Sequence, residues 1–521
     1  MAQQEPQPTD ASLGIEVPFL SVKLFWSLLA LVLILYLLLL NDGLSDFVDN
    51  ARYINAAKSL VTGQGYNHIY SRIITPQTLY PPGYPLVLAA LMLLFSQNIL
   101  VFKLVSVITT GCALVAFFFL LRRRTDFVSA AVITLLAGVS PLIVRFSVVE
   151  LTEAPYLFLS MLALLFVEKS ADKKGIDRHL WPAILVGAGA YYTKSAAIVL
   201  LPAAVIYFAG KKDFKKLSIY SSGFLALISP WLIRSLTMKT SANGTYLKQL
   251  MWKNPYNVAL GKATAFDYLG RAFSNLGHYG SFGFGALPYA RSAVVGRMPI
   301  ILMVGVAVPV CILVITGLIQ QIRHRAQAAE IYVLCYFAMY LLWPMNDIRF
   351  IHPVLPFILF YCFLGAKAIQ REIRKFTLIL AVALFSVSLL VDGGLAWANL
   401  KHQGAGSSEA SLDKAASWLG GHSPKTSFIL TIKPETVFLL SGRKANTYQD
   451  GLVSSDPDHY YKRILVEDFD YVVLDAFTST RQTRGPLTKA IYAHPNRFKL
   501  VYVSPEPQAK IYRVMKQEKD E

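Results

Sequence analysis

The chain has 521 residues, 54% of them hydrophobic and only 16% charged, with a formal net charge of +18. Its mean hydropathy is +0.45, which leaves too few charges to cover a soluble protein of this size and makes lipid the expected solvent for most of it. The positive balance does not point to nucleic acid, because the bases fall in short loops between apolar runs and not on one face of a soluble fold.

Hydropathy in chain order predicts about eleven membrane spans, near residues 18–40, 99–121, 127–145, 149–167, 181–193, 195–209, 216–235, 299–320, 329–345, 352–367 and 375–397. The first is too long, and lacks a suitable cleavage site, for a removable signal peptide, so it is expected to stay as an anchor. Cys112, Cys311, Cys335 and Cys362 all lie in apolar segments without metal-ligand spacing, and read as buried thiols with no redox or metal role.

Basic loops alternate between the spans: Arg122, Arg123 and Arg124; Lys169, Lys173, Lys174 and Arg178; Lys211, Lys212, Lys215 and Lys216; Arg323 and Arg325; Lys367, Arg371, Arg374 and Lys375. They fall on one side of the membrane if the N-terminus does, which predicts a cytoplasmic N-terminus and an extracytoplasmic C-terminus. The expected organisation is a cytoplasmic tail over 1–17, a membrane domain over 18–399 with large outer loops at 41–97 and 237–297, and an outer domain over 400–521. Pro85 to Phe95 is apolar but only about eleven residues long, well short of the ~20 a span needs, so an interfacial or re-entrant helix is expected there.

From Ser407 the pattern changes to short β-rich runs, Phe428–Ile432, Tyr471–Leu474, Leu500–Val503 and Ile511–Val514, with amphipathic helices at Asp413–Leu419 and His459–Val466. The fold class predicted is therefore an all-α polytopic membrane domain followed by a small α/β extracytoplasmic domain. The tail has neither a Gly-rich phosphate loop nor a nucleophile with its base, so a supporting or acceptor-docking role is expected of it.

The first outer loop opens with Asp42, Asp46 and Asp49, followed by Arg52, Tyr53 and Lys58. Asp42 and Asp46 read as solvated loop charges. Small and apolar residues recur at helical spacing after Asp49, placing it near a helix N-terminus, where a carboxylate is favoured by the dipole and need be no more than a cap. Tyr53, Tyr66, Tyr70, Tyr80 and Tyr84 make this loop aromatic. Rings at an interface are most often belt anchors, though one or two can stack on a sugar.

Asp49-Asn50-Ala51-Arg52-Tyr53, Leu60-Val61-Thr62-Gly63-Gln64-Gly65-Tyr66 and Tyr80-Pro81-Pro82-Gly83-Tyr84-Pro85 together resemble the first loop of GT-C-fold membrane glycosyltransferases that use polyprenyl-phosphate sugars. That group includes the protein O-mannosyltransferases and the bacterial transferases that place aminoarabinose or galacturonic acid on lipid A. Ser140-Pro141, Glu153-Ala154-Pro155, Pro230-Trp231-Leu232-Ile233-Arg234 and Arg349-Phe350-Ile351-His352-Pro353 fall where the family has similar stretches. The resemblance implies a transferase with Asp49 as the base; the topology puts its site on the extracytoplasmic face, and the short tail domain with this plain topology points to a bacterial inner membrane.

Glu153 matches the family's second acidic position, with Glu150 expected one turn earlier on the same helix face. Glu153 would orient the acceptor or assist Asp49, and the bland alternative for either Glu is a helix cap at the interface. Arg349, with Lys194 and His352 behind it, is expected to hold the donor phosphate, and Arg52, Tyr53, Tyr80 and Tyr84 to line the substrate site. Lys194 stands where the family more often has arginine, and snorkelling to the interface is its alternative. Tyr80-Pro81-Pro82 stands where the aminoarabinose transferases place a lysine before the proline.

The expected partners are a polyprenyl-phosphate-linked sugar, an envelope lipid, protein or glycan acceptor, and the bilayer. No cofactor is implied with certainty. A divalent cation, Mg or Mn, bridging Asp49, Glu153 and the phosphate is compatible with these oxygen ligands. The rival class is a transporter or flippase of a lipid-linked sugar, which would show paired repeats with helix breaks at the midplane, and no repeat is visible. An envelope scaffold would leave the charged residues of the first loop without purpose.

Overall fold

The computed structural model of the chain describes residues 21–45, 47–238, 244–255, 257–280, 300–369, 408–448, 456–477 and 480–516. The helices over these residues are α1 (Val22–Leu38), α2 (Val48–Val61), α3 (Gly83–Phe95), α4 (Ile99–Leu121), α5 (Phe127–Gly138), α6 (Pro141–Ser147), α7 (Glu153–Ala171), α8 (Leu180–Thr193), α9 (Leu200–Gly210) and α10 (Phe214–Thr237). They continue with α11 (Tyr246–Met251), α12 (Ala265–His278), α13 (Ile300–Arg325), α14 (Ala328–Leu341), α15 (Leu355–Ile369), α16 (Ser408–His422), α17 (Pro434–Ser441), α18 (Pro457–Val466) and α19 (Arg481–Ala493). The strands are β1 (Asn67–His68), β2 (Thr75–Pro76), β3 (Phe428–Thr431), β4 (Lys444–Thr447), β5 (Tyr471–Leu474), β6 (Phe498–Val503) and β7 (Lys510–Val514). Contacts divide the chain into two compact units: Met1–Leu40, Lys103–Ile228 and Ala272–Ala398 in the first, and Asn41–Phe102, Ser229–Arg271 and Asn399–Glu521 in the second.

Apolar helices dominate the first unit. Among the described residues α4, α7 and α10 are long and apolar enough to cross a membrane, and α5 with α6 makes a fourth crossing if the pair is one span bent by 62°. Pro141 opens α6 at that bend, where a residue without an N–H and with a fixed φ is tolerated. At most four crossings meet this test among the described residues, so the expected count of about eleven is not confirmed. Helices α8, α14 and α15 are 14, 14 and 15 residues long, shorter than the ~20 residues of an untilted span. The expected span at 375–397 lies outside the described residues. Helices α13 and α15 approach backbone to backbone: a Cβ on Gly317 would collide with the Tyr361 carbonyl, and one on Gly365 with that of Leu313, the use of small residues that lets helices cross closely in lipid.

One of the basic loops is less solvated than its sequence suggests. Arg124 is fully buried, its Nη2 2.5 Å from Glu168 Oε1 of α7 and its Nε 2.9 Å from Glu330 Oε1 of α14, both carboxylates being equally buried. Arg123 adds pairs to Glu168 and Asp172. The bases of this loop therefore tie α4, α7 and α14 together.

The second unit contains the C-terminal sheet, ordered β4-β3-β5-β7-β6. Strands β3, β4 and β5 are parallel, and β7 pairs antiparallel with both β5 and β6. Alternate residues of the strands feed two cores. Leu430, Val472 and Tyr512 pack with Ile464 of α18 and Leu487 of α19, while Ile429, Val473 and Ile511 pack with Leu412 of α16 and Val437 of α17. Every residue of β3 and β5 is buried, as expected for central strands covered on both faces. Strand β4 is an edge, and the first loop, 41–97, meets it: the Ala445 amide donates to the Tyr70 carbonyl at 2.7 Å. Arg72 of the same loop lies 4.3 Å from the Phe428 ring centre and donates to the Glu467 and Asp468 carbonyls. Within this unit the first loop and the tail domain form a continuous packing surface.

Candidate active site

Helix α2 starts where the sequence analysis places it, and Asp49 lies in its first turn. Phe47 occupies the N-cap and supplies no side-chain hydrogen bond, so Asp49 gains from the helix dipole without being the cap. The Tyr80 hydroxyl donates to Asp49 Oδ1 at 2.5 Å and accepts from Arg52 Nη1 at 3.3 Å. Burial, and then the Asp49 charge, push the Tyr80 phenol well above its ordinary pKa, so it keeps its proton and Asp49 is the acceptor of the pair. Asp46 lies outside the described residues.

The tyrosines depart from the belt-anchor expectation. Tyr53, Tyr80 and Tyr84 are buried, and Tyr53 meets the rings of Tyr80 and Tyr84 edge-on at 4.9 and 5.3 Å. Such contacts favour rings over lipid or water as neighbours, and they make these side chains the wall against which Asp49 is set. Tyr66 supports them by donating from its hydroxyl to the Tyr80 carbonyl at 2.9 Å. Arg234 donates from Nη2 to the Tyr66 carbonyl at 3.1 Å and from Nη1 to that of Gln77 at 2.5 Å.

Glu435, in the first turn of α17, is a residue that the sequence reading did not select. Its Oε1 is 2.7 Å from Arg52 Nε, with the carboxylate side chain 3% exposed. Its backbone carbonyl accepts from Asn55 Nδ2 at 2.9 Å, and its charge reaches the half-buried Tyr70 phenol. His68 shares this pocket. Burial first, then Arg52, lower its imidazole to about 4, with Glu435 opposing. A histidine with a folded pKa below its unfolded value of ~6.5 binds fewer protons in the native state, so its contribution to stability is complete above ~6.5 and is lost as pH falls toward 4. Between about pH 7 and pH 4.5 the unfolding midpoint of the purified protein should therefore drop more steeply than that of His68→Gln. Parallel curves for the two proteins would show that the imidazole is not held neutral.

A second group of site candidates is assembled inside the first unit. Glu153 is the first residue of α7 and is buried. Its Oε1 lies 2.7 Å from Lys194 Nζ, whose side chain is 15% exposed, so Lys194 pairs with a carboxylate and does not snorkel. Lys194 ends α8 in an extended conformation, before a short 3₁₀ turn at Ser195–Val199, and this break in the apolar run is what aims its side chain. Arg349 sits in the turn Ile348–Ile351, whose N-cap, Asp347, accepts from the Arg349 amide. Arg349 and His352 both lie within electrostatic reach of Glu153. His352 is fully buried beside Phe146, its ring centre 5.1 Å away, and neither ring nitrogen has a hydrogen-bond partner among the described residues. Glu150 is buried too, but it lies in the irregular stretch between α6 and α7. The expected placement one turn before Glu153 on a helix face is incorrect, because α7 begins only at Glu153.

The donor set for a divalent cation is not assembled among the described residues. No three His, Cys, Asp or Glu side chains converge there, and Glu153 Oε1 is taken up by Lys194.

With the geometry in place, comparison with known proteins assigns the class: the chain is a membrane protein with the GT-C fold. A family model described as dolichyl-phosphate-mannose-protein mannosyltransferase matches residues 80–233. Among solved structures, the chain is similar to ArnT from Cupriavidus metallidurans bound to undecaprenyl phosphate, with a TM-score of 0.61, 12% identity, and 96% of this chain and 99% of that chain covered. The archaeal oligosaccharyltransferase AglB from Archaeoglobus fulgidus, in complex with an inhibitory peptide and a dolichol-phosphate, gives a TM-score of 0.57, 13% identity and coverage of 94% and 74%. The arabinofuranosyltransferase AftD from Mycobacteria gives 0.52 and 15%, with 96% of this chain but 40% of that one covered. Comparison with curated proteins finds no match.

Proposed function

We propose that this chain is an integral membrane glycosyltransferase that moves a sugar from a polyprenyl-phosphate donor to a hydroxyl of an envelope lipid, protein or glycan. The observation that carries this reading is the carboxylate of Asp49, held by a protonated phenol at the start of the first-loop helix in a chain of GT-C fold. A lipid-linked donor is supported by the undecaprenyl phosphate and dolichol-phosphate bound to the structural relatives. The alternation of basic loops supports an extracytoplasmic site with the N-terminus inside.

In this mechanism the acceptor oxygen attacks the anomeric carbon while Asp49 takes its proton. The bond from that carbon to the phosphate oxygen breaks, and the electron pair leaves on the polyprenyl phosphate. One carboxylate suffices for such a direct displacement, which inverts the anomeric centre. Charge grows on the departing phosphate, and Arg349 and Lys194 are the cations proposed to meet it. His352, a buried imidazole without a hydrogen-bond partner among the described residues, would add a donor there. Glu153 holds Lys194 and orients the acceptor, while Arg52, Tyr53, Tyr80 and Tyr84 shape the site around the base.

The experiment is sugar transfer by the purified protein in nanodiscs, offered a panel of radiolabelled undecaprenyl-phosphate sugars together with an envelope extract. Release of undecaprenyl phosphate with label passing to an extract component is the expected result. A panel left unconsumed, with labelled lipid instead equilibrating between leaflets, would replace this reading with transport.

A further inference from the structure

We propose that Glu435, contributed by the C-terminal α/β domain, is a positioning residue for glycosyl transfer: acting through Arg52 and Tyr80, it fixes the hydrogen bond presented to Asp49. The inference rests on the reading of Asp49 as the base, and it gives the tail domain a part in the reaction beyond acceptor docking.

The relay runs through four side chains of the second unit. Glu435 Oε1 is 2.7 Å from Arg52 Nε, Arg52 Nη1 donates to Tyr80 Oη at 3.3 Å, and Tyr80 Oη donates to Asp49 Oδ1 at 2.5 Å. Guanidinium nitrogens can only donate, and they do so from a rigid planar fork. When Nη1 points at Tyr80 Oη it fills an acceptor site there, and the single phenolic proton is left to turn toward Asp49. The direction of the Tyr80–Asp49 hydrogen bond is therefore set by where Arg52 is held.

What holds Arg52 is Glu435, and Glu435 is itself fixed by its helix, by α2 and by burial. It lies in the first turn of α17, where the dipole favours a carboxylate. Its carbonyl is tied to Asn55 of α2 at 2.9 Å, and its side chain is almost wholly buried, which leaves it little room to turn. Without this carboxylate the Arg52 fork has one anionic neighbour in the relay to turn to, Asp49. A direct Arg52–Asp49 pair would displace the Tyr80 hydroxyl and occupy the oxygens that must take the acceptor proton. A 383-residue separation in sequence is thus closed by a contact that keeps the cation off the base.

The test uses the full-length protein in nanodiscs with the donor that the panel identifies. Glu435→Ala should lower kcat by about 10- to 100-fold, the range expected when a reacting group is displaced by about an ångström. KM for the donor should stay within about threefold, because the donor phosphate is not held by this relay. Glu435→Gln, which keeps an acceptor oxygen without the charge, should fall between the two, with a loss of about three- to tenfold. Thr436→Ala, next along α17 and also buried, controls for loosening of the α17–α2 packing and should keep kcat within about twofold of the parent.

A Glu435→Ala protein with parental kcat overturns the proposal, and so does a Thr436→Ala protein that loses as much as Glu435→Ala. Where the alanine variant fails to fold, Glu435→Gln decides: a loss of kcat at parental KM supports the relay, and parental kcat overturns it. Parental transfer with unaffected Glu435 variants removes this inference alone, whereas a parent that consumes no donor removes the proposed function with it.

Discussion

Asp49→Asn is expected to lower the transfer rate by about 10²- to 10⁴-fold, the range spanned by general-base catalysis, while folding like the parent. Asparagine keeps the shape of the side chain, and its Oδ1 still accepts the Tyr80 hydroxyl, so the packing of Tyr53, Tyr80 and Tyr84 is preserved. What it lacks is an oxygen able to take a proton as the new glycosidic bond forms. The loss should appear in kcat with little change in donor KM, because Asp49 meets the acceptor proton and not the phosphate. Measurement needs the radiolabel assay on both proteins together with their unfolding midpoints. A variant that turns over at the parental rate would reduce Asp49 to a carboxylate placed for the helix dipole, and the base would have to be sought elsewhere.

The second large effect concerns stability. Arg124→Met should destabilise the membrane domain by about 3–5 kcal/mol, because it leaves two buried carboxylates, Glu168 and Glu330, without their shared cation. Arg124 is bidentate to Glu168, at 3.0 and 2.5 Å, and to Glu330, at 2.9 and 3.2 Å. The carboxylates are further committed to backbone amides, Glu168 to that of Ala329 at 3.2 Å and Glu330 to that of Gln327 at 2.8 Å, so neither can turn away to solvent. Adding Glu168→Gln and Glu330→Gln to Arg124→Met should recover part of the loss, since neutral amides are less costly to bury unpaired than charges. Thermal unfolding in detergent reads the effect. An Arg124→Met protein melting with the parent would mean that water or another cation reaches the pair.

What the sequence disclosed follows from the range of the interactions involved. Helix α2 and the place of Asp49 were legible because small and apolar residues repeat every three to four positions directly after it. The short helix α3 was legible because an apolar run bounded by Pro82 and Ser96 cannot reach across a bilayer. Strands β3, β5, β6 and β7 announce themselves by β-branched and aromatic residues. Strand β4, Lys444-Ala445-Asn446-Thr447, does not, because as an edge strand it buries little. Helix α19 was hidden by Pro486 within it, and α17 by its length of eight residues.

The candidate site divides in the same way. Lys194 could be flagged as a cation in an apolar run, yet nothing local shows that its partner is Glu153, 41 residues earlier. The tyrosines of the first loop look like interfacial anchors until the fold turns their rings on one another. Glu435 gave no signal: it is one acidic residue in a short, largely buried helix, and its importance arises only from the arginine that the fold brings to it. Hydropathy registers composition, so the bend before Pro141 lay hidden inside one expected span.

The covered edge of β4 bears on how far the tail can be treated as a module. The Ala445 amide reaches out of the sheet to the Tyr70 carbonyl, and Arg72 lies over Phe428, so this edge is finished by a loop belonging to another part of the chain. A tail expressed alone would carry a bare β-edge, the kind of surface that recruits other strands. A tail transplanted from a distant relative would have to match the first loop hydrogen bond for hydrogen bond. Chimaeras designed to exchange acceptor preference are therefore best cut so that residues 41–97 and the tail travel together as one inherited cassette.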